Sequence, residues 1–136
     1  FNADSADSLA AALSLANGGT VVLTGDIAVV PQGTGSGAVA QFTIANDMTI
    51  DLNGRKLSVN AEAGVSYSYV PVLICIDGAD VVFKGDGTID AEAENNTSYG
   101  VNIINGGTLT VNGPEDTVNH YDAPVKVKIT AVGKNS

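Results

Sequence analysis

A chain of 136 residues is long enough for one domain with one core. Fifteen acids against six bases give a formal net charge of −9, which excludes a nucleic-acid surface, because phosphates need a basic footprint, and argues against an anionic membrane surface too. Trp is absent, aromatics are 5%, Gly numbers 16, and the 44% hydrophobic share is mostly Val, Ile, Leu and Ala, a mix for short strands and tight turns rather than a helical bundle or a disordered chain.

The first element is a helix over 4–17. Leu9, Ala12, Leu13 and Ala16 recur at helical spacing, Asp4 or Ser5 can cap the start, and Asn17-Gly18 can end it. A repeat begins next, carried by four gapless segments: Ala16–Gly25, Ala45–Gly54, Ile76–Gly85 and Ile104–Gly113. In each a turn residue (Asn17, Asn46, Asp77, Asn105) precedes Gly18, Asp47, Gly78 or Gly106, where a left-handed backbone is expected. A four-residue strand follows, with Val21, Ile50, Val81 and Leu109 facing the same way as Leu23, Leu52, Phe83 and Val111. Closing glycines then recur at spacings of 29, 31 and 28 residues.

The spacers hold further strands at 26–30, 39–44, 56–59, 70–76, 87–90 and 100–104, and a last one lies at 125–132. Loops fall at 31–37, 60–69, 91–98 and 114–124, with Tyr67, Tyr69, Tyr99 and Tyr121 in or beside them. Three strands per repeat bury their apolar sides only by stacking on the next repeat, at the usual inter-strand spacing of about 4.8 Å. The expected fold is therefore all-β: a right-handed parallel β-helix, a solenoid of about four coils over 18–132, capped by the helix over 4–17 and forming a single domain over 1–136. A β-sandwich also alternates but does not require the same columns every repeat. Nothing equivalent to the helix follows the last coil, so further chain or a homo-oligomer contact is expected at that end.

At this point the chain resembles the pectin-lyase-like β-helix superfamily, through the helix followed by Gly18-Gly-Thr-Val-Val-Leu23, then Ile50-Asp-Leu-Asn-Gly54 and Gly85-Asp-Gly-Thr-Ile-Asp90. The resemblance covers Asp4 to Gly113 and implies architecture more than activity, since lyases, hydrolases, adhesins and phage fibres share it. By analogy with β-helical fibres it also implies a trimer.

Candidate chemistry is sparse. Asp51 with Asp80, or Asp86 with Asp90, are the carboxylate pairs that glycoside hydrolysis would need, but no Asp-Asp or Gly-His-Gly motif accompanies them. Arg55 is the only arginine and follows a turn glycine, where a surface role beside Asp26 or Asp86 is expected. His120 is the only histidine and has no nucleophile beside it. Cys75, the only cysteine, aligns with Ile44 and Ile103 in an apolar run and reads as a buried, inert thiol. No zinc-ligand spacing occurs and no cofactor is expected; calcium on Asp77, Asp80 or Asp86 is the one cation the acids admit, without a calcium-loop motif. Asn95-x-Thr97 and Asn96-x-Ser98 are glycosylation sequons.

The functional expectation is a non-catalytic structural or adhesive module on a virion, as a head or tail fibre or decoration domain, or on a microbial surface. Its location would be extracellular, at the cell surface or on the virion. A glycan or host-surface ligand would meet Tyr67, Tyr69 and Tyr99, whose rings can stack on sugars, with Asp86 and Asp90 beside them. The turn ladder Asn17, Asn46, Asp77 and Asn105 would be structural. The alternative is a polysaccharide lyase or glycoside hydrolase of the same superfamily. No membrane insertion is expected, as no apolar run is long enough.

Overall fold

The computed structural model describes residues 1–60, 62, 64–93, 99–111 and 127–133, with Glu92, Ala93 and 127–133 described as backbone only. Helix α1 (Ala6–Leu15) starts where the sequence offers a cap. Ser5 is the N-cap: its Oγ accepts from the Ser8 backbone N–H, and the Ser8 hydroxyl accepts in return from the Ser5 N–H, so a serine closes the capping box in place of the usual Glu or Gln. Leu9, Ala12 and Leu13 form the buried stripe, and Leu9 and Leu13 meet Phe42, Ile44, Ile50 and Leu57 around an apolar void of only ≈ 10 Å³. That is about one water molecule's worth of space, and no polar group lines it.

The described residues form twelve strands in three sheets, every pair parallel. The first sheet has the order β1 (Asn2–Ala3), β2 (Thr20–Leu23), β5 (Met48–Asp51), β8 (Asp80–Lys84), β11 (Thr108–Val111). The second runs β3 (Ile27–Val29), β6 (Lys56–Asn60), β9 (Gly87–Ala93), β12 (Val127–Gly133). The third runs β4 (Ala38–Ile44), β7 (Val70–Asp77), β10 (Tyr99–Ile104). After α1 the chain visits first, second and third sheet in the same rotation, so each strand pairs with its counterpart from the neighbouring repeat.

The core is built from continuous cross-strand rows. Val21, Ile50, Phe83 and Val111 pair in sequence across the first sheet. Leu57 and Ile89 continue from Ile27 in the second, and Ile44, Ile76 and Ile103 form a row in the third. Phe83, Leu57, Ile89, Ile76 and Val21 are all sealed from solvent. Strand β7 is buried from Pro71 through Ile76 on both sides, the continuous apolar run expected of a parallel strand covered on two faces.

Three expectations are corrected. The fold is not an all-β, right-handed parallel β-helix of about four coils: the described residues form a small α/β arrangement of twelve strands in three parallel sheets with one short helix, and no closed solenoid occurs among them. Helix α1 is more than an added cap: it packs against β1, β3 and β4, and because β1 precedes it and pairs in parallel with β2 it is also the crossover that parallel neighbours require. The sheets hold five, four and three strands, and paired residues lie 27 apart at Ile76–Ile103 but 40 apart at Ile89–Ile129, so no constant period closes the chain on itself.

Register is the second correction. The gapless match set Ile50 against Val81, whereas Ile50 pairs with Phe83 and Met48 with Val81. A slip of two residues keeps every side chain on its own face, so the hydrophobic pattern cannot detect it. The third concerns Cys75, whose cross-strand partners are Thr43 and Asn102, while Ile76 takes the row with Ile44 and Ile103. A slip of one residue exchanges the two faces of a strand.

Gly85 tests the packing at the turn after β8. Its φ is +74°, and a Cβ there would collide with Asp51 Oδ1 and lie 2.8 Å from the Asn53 backbone nitrogen. Gly35 has a similar φ of +80° and open space around it. Gly35→Ala should cost about 1 kcal/mol of backbone strain, and Gly85→Ala clearly more than about 2 kcal/mol once the contact is added. Equal losses for the two variants in denaturant titrations would contradict this packing.

Candidate functional site

The turns concentrate the polar chemistry. Asn53 and Gly54 both have positive φ, and the Arg55 N–H donates to the Leu52 carbonyl at 2.8 Å. Asn105 and Gly106 repeat this, with the Gly107 N–H donating to the Ile104 carbonyl at 3.1 Å. Two left-handed central residues closed in this way make a type I′ turn, for which Asn-Gly is the preferred pair.

Side chains at these turns reach to the next repeat. Asn105 Nδ2 donates to Asp77 Oδ1 at 2.7 Å, and Asn46 Nδ2 donates to the Ala16 carbonyl at 3.3 Å. The structure thus joins Asn105 with Asp77 directly and brings Asn46 to the residue before Asn17. Asn53 Nδ2, on the opposite side of the first sheet's strands, donates to the Leu23 carbonyl at 3.1 Å.

The carboxylates are acceptors in the same scheme. The Asp80 N–H donates to Asp47 Oδ1 at 2.8 Å, the Thr108 hydroxyl to Asp80 Oδ1 at 2.7 Å, the Asn53 N–H to Asp51 Oδ1 at 3.0 Å and the Lys56 N–H to Asp26 Oδ1 at 2.9 Å. Sequence reasoning missed these roles for Asp26 and Asp47, although each is a short acid beside a turn, the usual signal for a side chain that satisfies a backbone donor.

Of the proposed carboxylate pairs, Asp51 and Asp80 are not brought together. Asp51 lies opposite Lys84, and Asp80 follows Asp47 in the register. Asp51 and Asp80 are thus displaced by about four residues along the strands, roughly 13 Å. Asp86 is exposed in the turn before β9, and Asp90 is buried within that strand. Asp90 Oδ2 accepts Lys56 Nζ at 3.3 Å, and its cross-strand partner is Ser58, which is also buried. Ser58 lies in the strand expected at 56–59, but its burial beside Asp90 was not among the expectations.

The tyrosines separate. Tyr67 and Tyr69 meet edge to face at 5.6 Å, and Tyr67 Oη accepts from the Glu62 N–H. Tyr69 is buried, with the Gly33 backbone so close that a Cβ there would lie 3.2 Å from its ring. Burial, and next the charge of Tyr67, pushes the Tyr69 phenol above its ordinary range. Tyr99, at the start of β10 opposite Val72, remains 43% exposed. His120, Tyr121 and the two sequons lie outside the described residues.

Arg55 is exposed and makes no ion pair among the described residues. No group of three or more His, Cys, Asp or Glu side chains able to hold a metal occurs among the described residues, and no described helix is long and apolar enough to cross a membrane. An open groove of ≈ 250 Å³ lies beside the first turns of α1, with Asp7, Val30, Gln32 and Gln41 in its walls. Gln41 holds that edge by accepting from the Gln32 N–H and donating to the Gln32 carbonyl.

Comparison with protein-family models, curated proteins and solved structures returns no match, so the chain is assigned to no family.

Two outcomes follow. Asn105→Asp places a second carboxylate against Asp77, so stability should fall at pH 7 and recover toward pH 4 as carboxyls protonate; a pH-independent loss would point to lost hydrogen bonding alone. Cys75 is buried, and burial, then the Asp77 charge, raises its thiol pKa. Folding therefore favours the protonated thiol, so its contribution is complete below the unfolded thiol's range and is lost as pH climbs through the higher folded value. Thiol reagents at neutral pH should label Cys75 only in denaturant, and fast native labelling would contradict its placement.

Proposed function

We propose that this protein is a non-catalytic structural or adhesive module displayed on a virion or microbial surface, meeting a glycan through residues outside its sheets. One observation carries the reading: six of the acids are engaged in the fold's own hydrogen bonds and its ion pair. Asp26, Asp47 and Asp51 accept backbone N–H groups, Asp80 holds Thr108, Asp77 holds Asn105 and Asp90 holds Lys56. A carboxylate occupied in this way stiffens a turn, and rigid turns suit a scaffold that presents neighbouring loops.

The surface setting rests on the sequence resemblance alone. The contact residues are narrowed by burial: Tyr69 supports its loop from within, while exposed Tyr99 and half-buried Tyr67 offer ring surface. Stacking of a sugar on such a ring is mainly apolar contact, so affinity for a single unit would be modest and display in many copies would raise it.

A glycan array spanning pectins, polygalacturonate and bacterial capsular polysaccharides is the test. Binding to a defined glycan should weaken about tenfold in Tyr99→Ala, the loss of roughly 1.4 kcal/mol. Release of oligosaccharides from any of these polymers, abolished by Asp86→Asn, would replace this reading with an enzymatic one.

A further inference from the structure

We propose that Asn53-Gly54 is a site of spontaneous covalent modification, converting to an isoaspartyl linkage ahead of the other described Asn-Gly pairs. The reaction needs no enzyme. The glycine backbone nitrogen gives up its proton to solvent base and attacks the asparagine Cγ. A new N–C bond forms, the Cγ–Nδ2 bond breaks and ammonia leaves, so a succinimide ring remains. Water then opens the ring at either carbonyl, giving aspartate or isoaspartate, with one water consumed for each ammonia released. Glycine is the favourable second residue because no Cβ obstructs the attack. Asn-Gly occurs at 17–18, 53–54, 105–106 and 112–113, and the last pair lies outside the described residues.

The fold treats the three described pairs differently. Attack requires an unengaged glycine N–H and a side-chain amide that can swing onto it. At the first pair the nucleophile is tied down, because the Gly18 N–H donates to the Asp47 carbonyl at 2.6 Å. The Gly54 and Gly106 N–H groups make no hydrogen bond among the described residues. Asn53 and Asn105 are both exposed and have left-handed φ values of 52° and 54°, so neither exposure nor backbone conformation separates them.

Their side-chain bonds do. Asn105 Nδ2 donates to the Asp77 carboxylate at 2.7 Å, whereas Asn53 Nδ2 donates to the neutral Leu23 carbonyl at 3.1 Å. A charge-assisted bond is roughly twice as strong as a neutral one, and each must break before Cγ can meet the nitrogen. The Asn53 N–H is also held, by Asp51 Oδ1 at 3.0 Å, but that bond fixes the backbone of a residue whose side chain does the rotating. Asn53 therefore opens more often. Conversion there adds a methylene to the main chain between β5 and β6, sets a new carboxylate near Asp51 and removes the donor from the Leu23 carbonyl.

The test is to hold the folded full chain at mildly alkaline pH for weeks, digest samples and follow each Asn-Gly peptide by mass spectrometry. Isoaspartate is located with an isoaspartyl methyltransferase. The Asn53 peptide should convert about fivefold faster than the Asn105 peptide, and faster than the Asn17 peptide. In denaturant the three rates should converge, because the bonds that distinguish them are gone. Asp77→Ala should bring Asn105 up to the rate of Asn53, leaving Asn53 and the far-ultraviolet circular dichroism unchanged. A folded-state order led by Asn17 or Asn105, equal folded-state rates, no conversion at Asn53, or a preference for Asn53 that persists undiminished in denaturant would overturn the proposal.

Discussion

The constraint on which the structure depends is the unbroken facing of inward side chains from one repeat to the next. Val21, Ile50, Phe83 and Val111 make a single row because three successive parallel pairings keep the same parity. The first sheet's strands are short, two to five residues, and a few parallel pairings alone hold little stability. Removing a branched or aromatic side chain from water on each strand contributes ~1.5–3 kcal/mol apiece, and this stabilises the stack. Parity matters more than spacing, which is why pairings separated by 27 or 40 residues coexist in one molecule.

Turns carry the second requirement. A parallel arrangement of short strands creates many corners, and every corner leaves backbone donors and acceptors to satisfy. Asn-Gly pairs adopt the left-handed conformations these corners need, while short acids and amides bond across to the neighbouring repeat. The acidity of the chain is therefore partly structural. Carboxylates that read as clustered charge in the sequence are distributed as acceptors along successive corners, which also keeps them apart.

The two ends of the sheets differ physically. At one, α1 lays Leu9, Ala12 and Leu13 into the core as the crossover from β1 to β2. At the other, rows that are sealed at Ile76 and Phe83 emerge at Ile103 and Val111. The aliphatic stacking that seals the interior rows thus reaches Ile103 and Val111 with part of each side chain still exposed.

The sequence by itself determined the alternation of each strand, the cap and apolar stripe of α1, the positions of the turns and the burial of Cys75, because each depends on residues within a few positions of one another. It could not determine which strand met which residue. Ile50 faces Phe83 instead of Val81 because a two-residue slip costs the pattern nothing, and Cys75 yields its row to Ile76 because both are apolar and adjacent. The class of the fold likewise waited on tertiary structure: the pairing of Asn2 and Ala3 with β2, two residues without a periodic signal, turns a helix read as a cap into a crossover. The same holds at the site. Tyr67, Tyr69 and Tyr99 look alike as loop aromatics, and only tertiary packing, with Gly33 close to its ring, buries Tyr69 while leaving Tyr99 exposed.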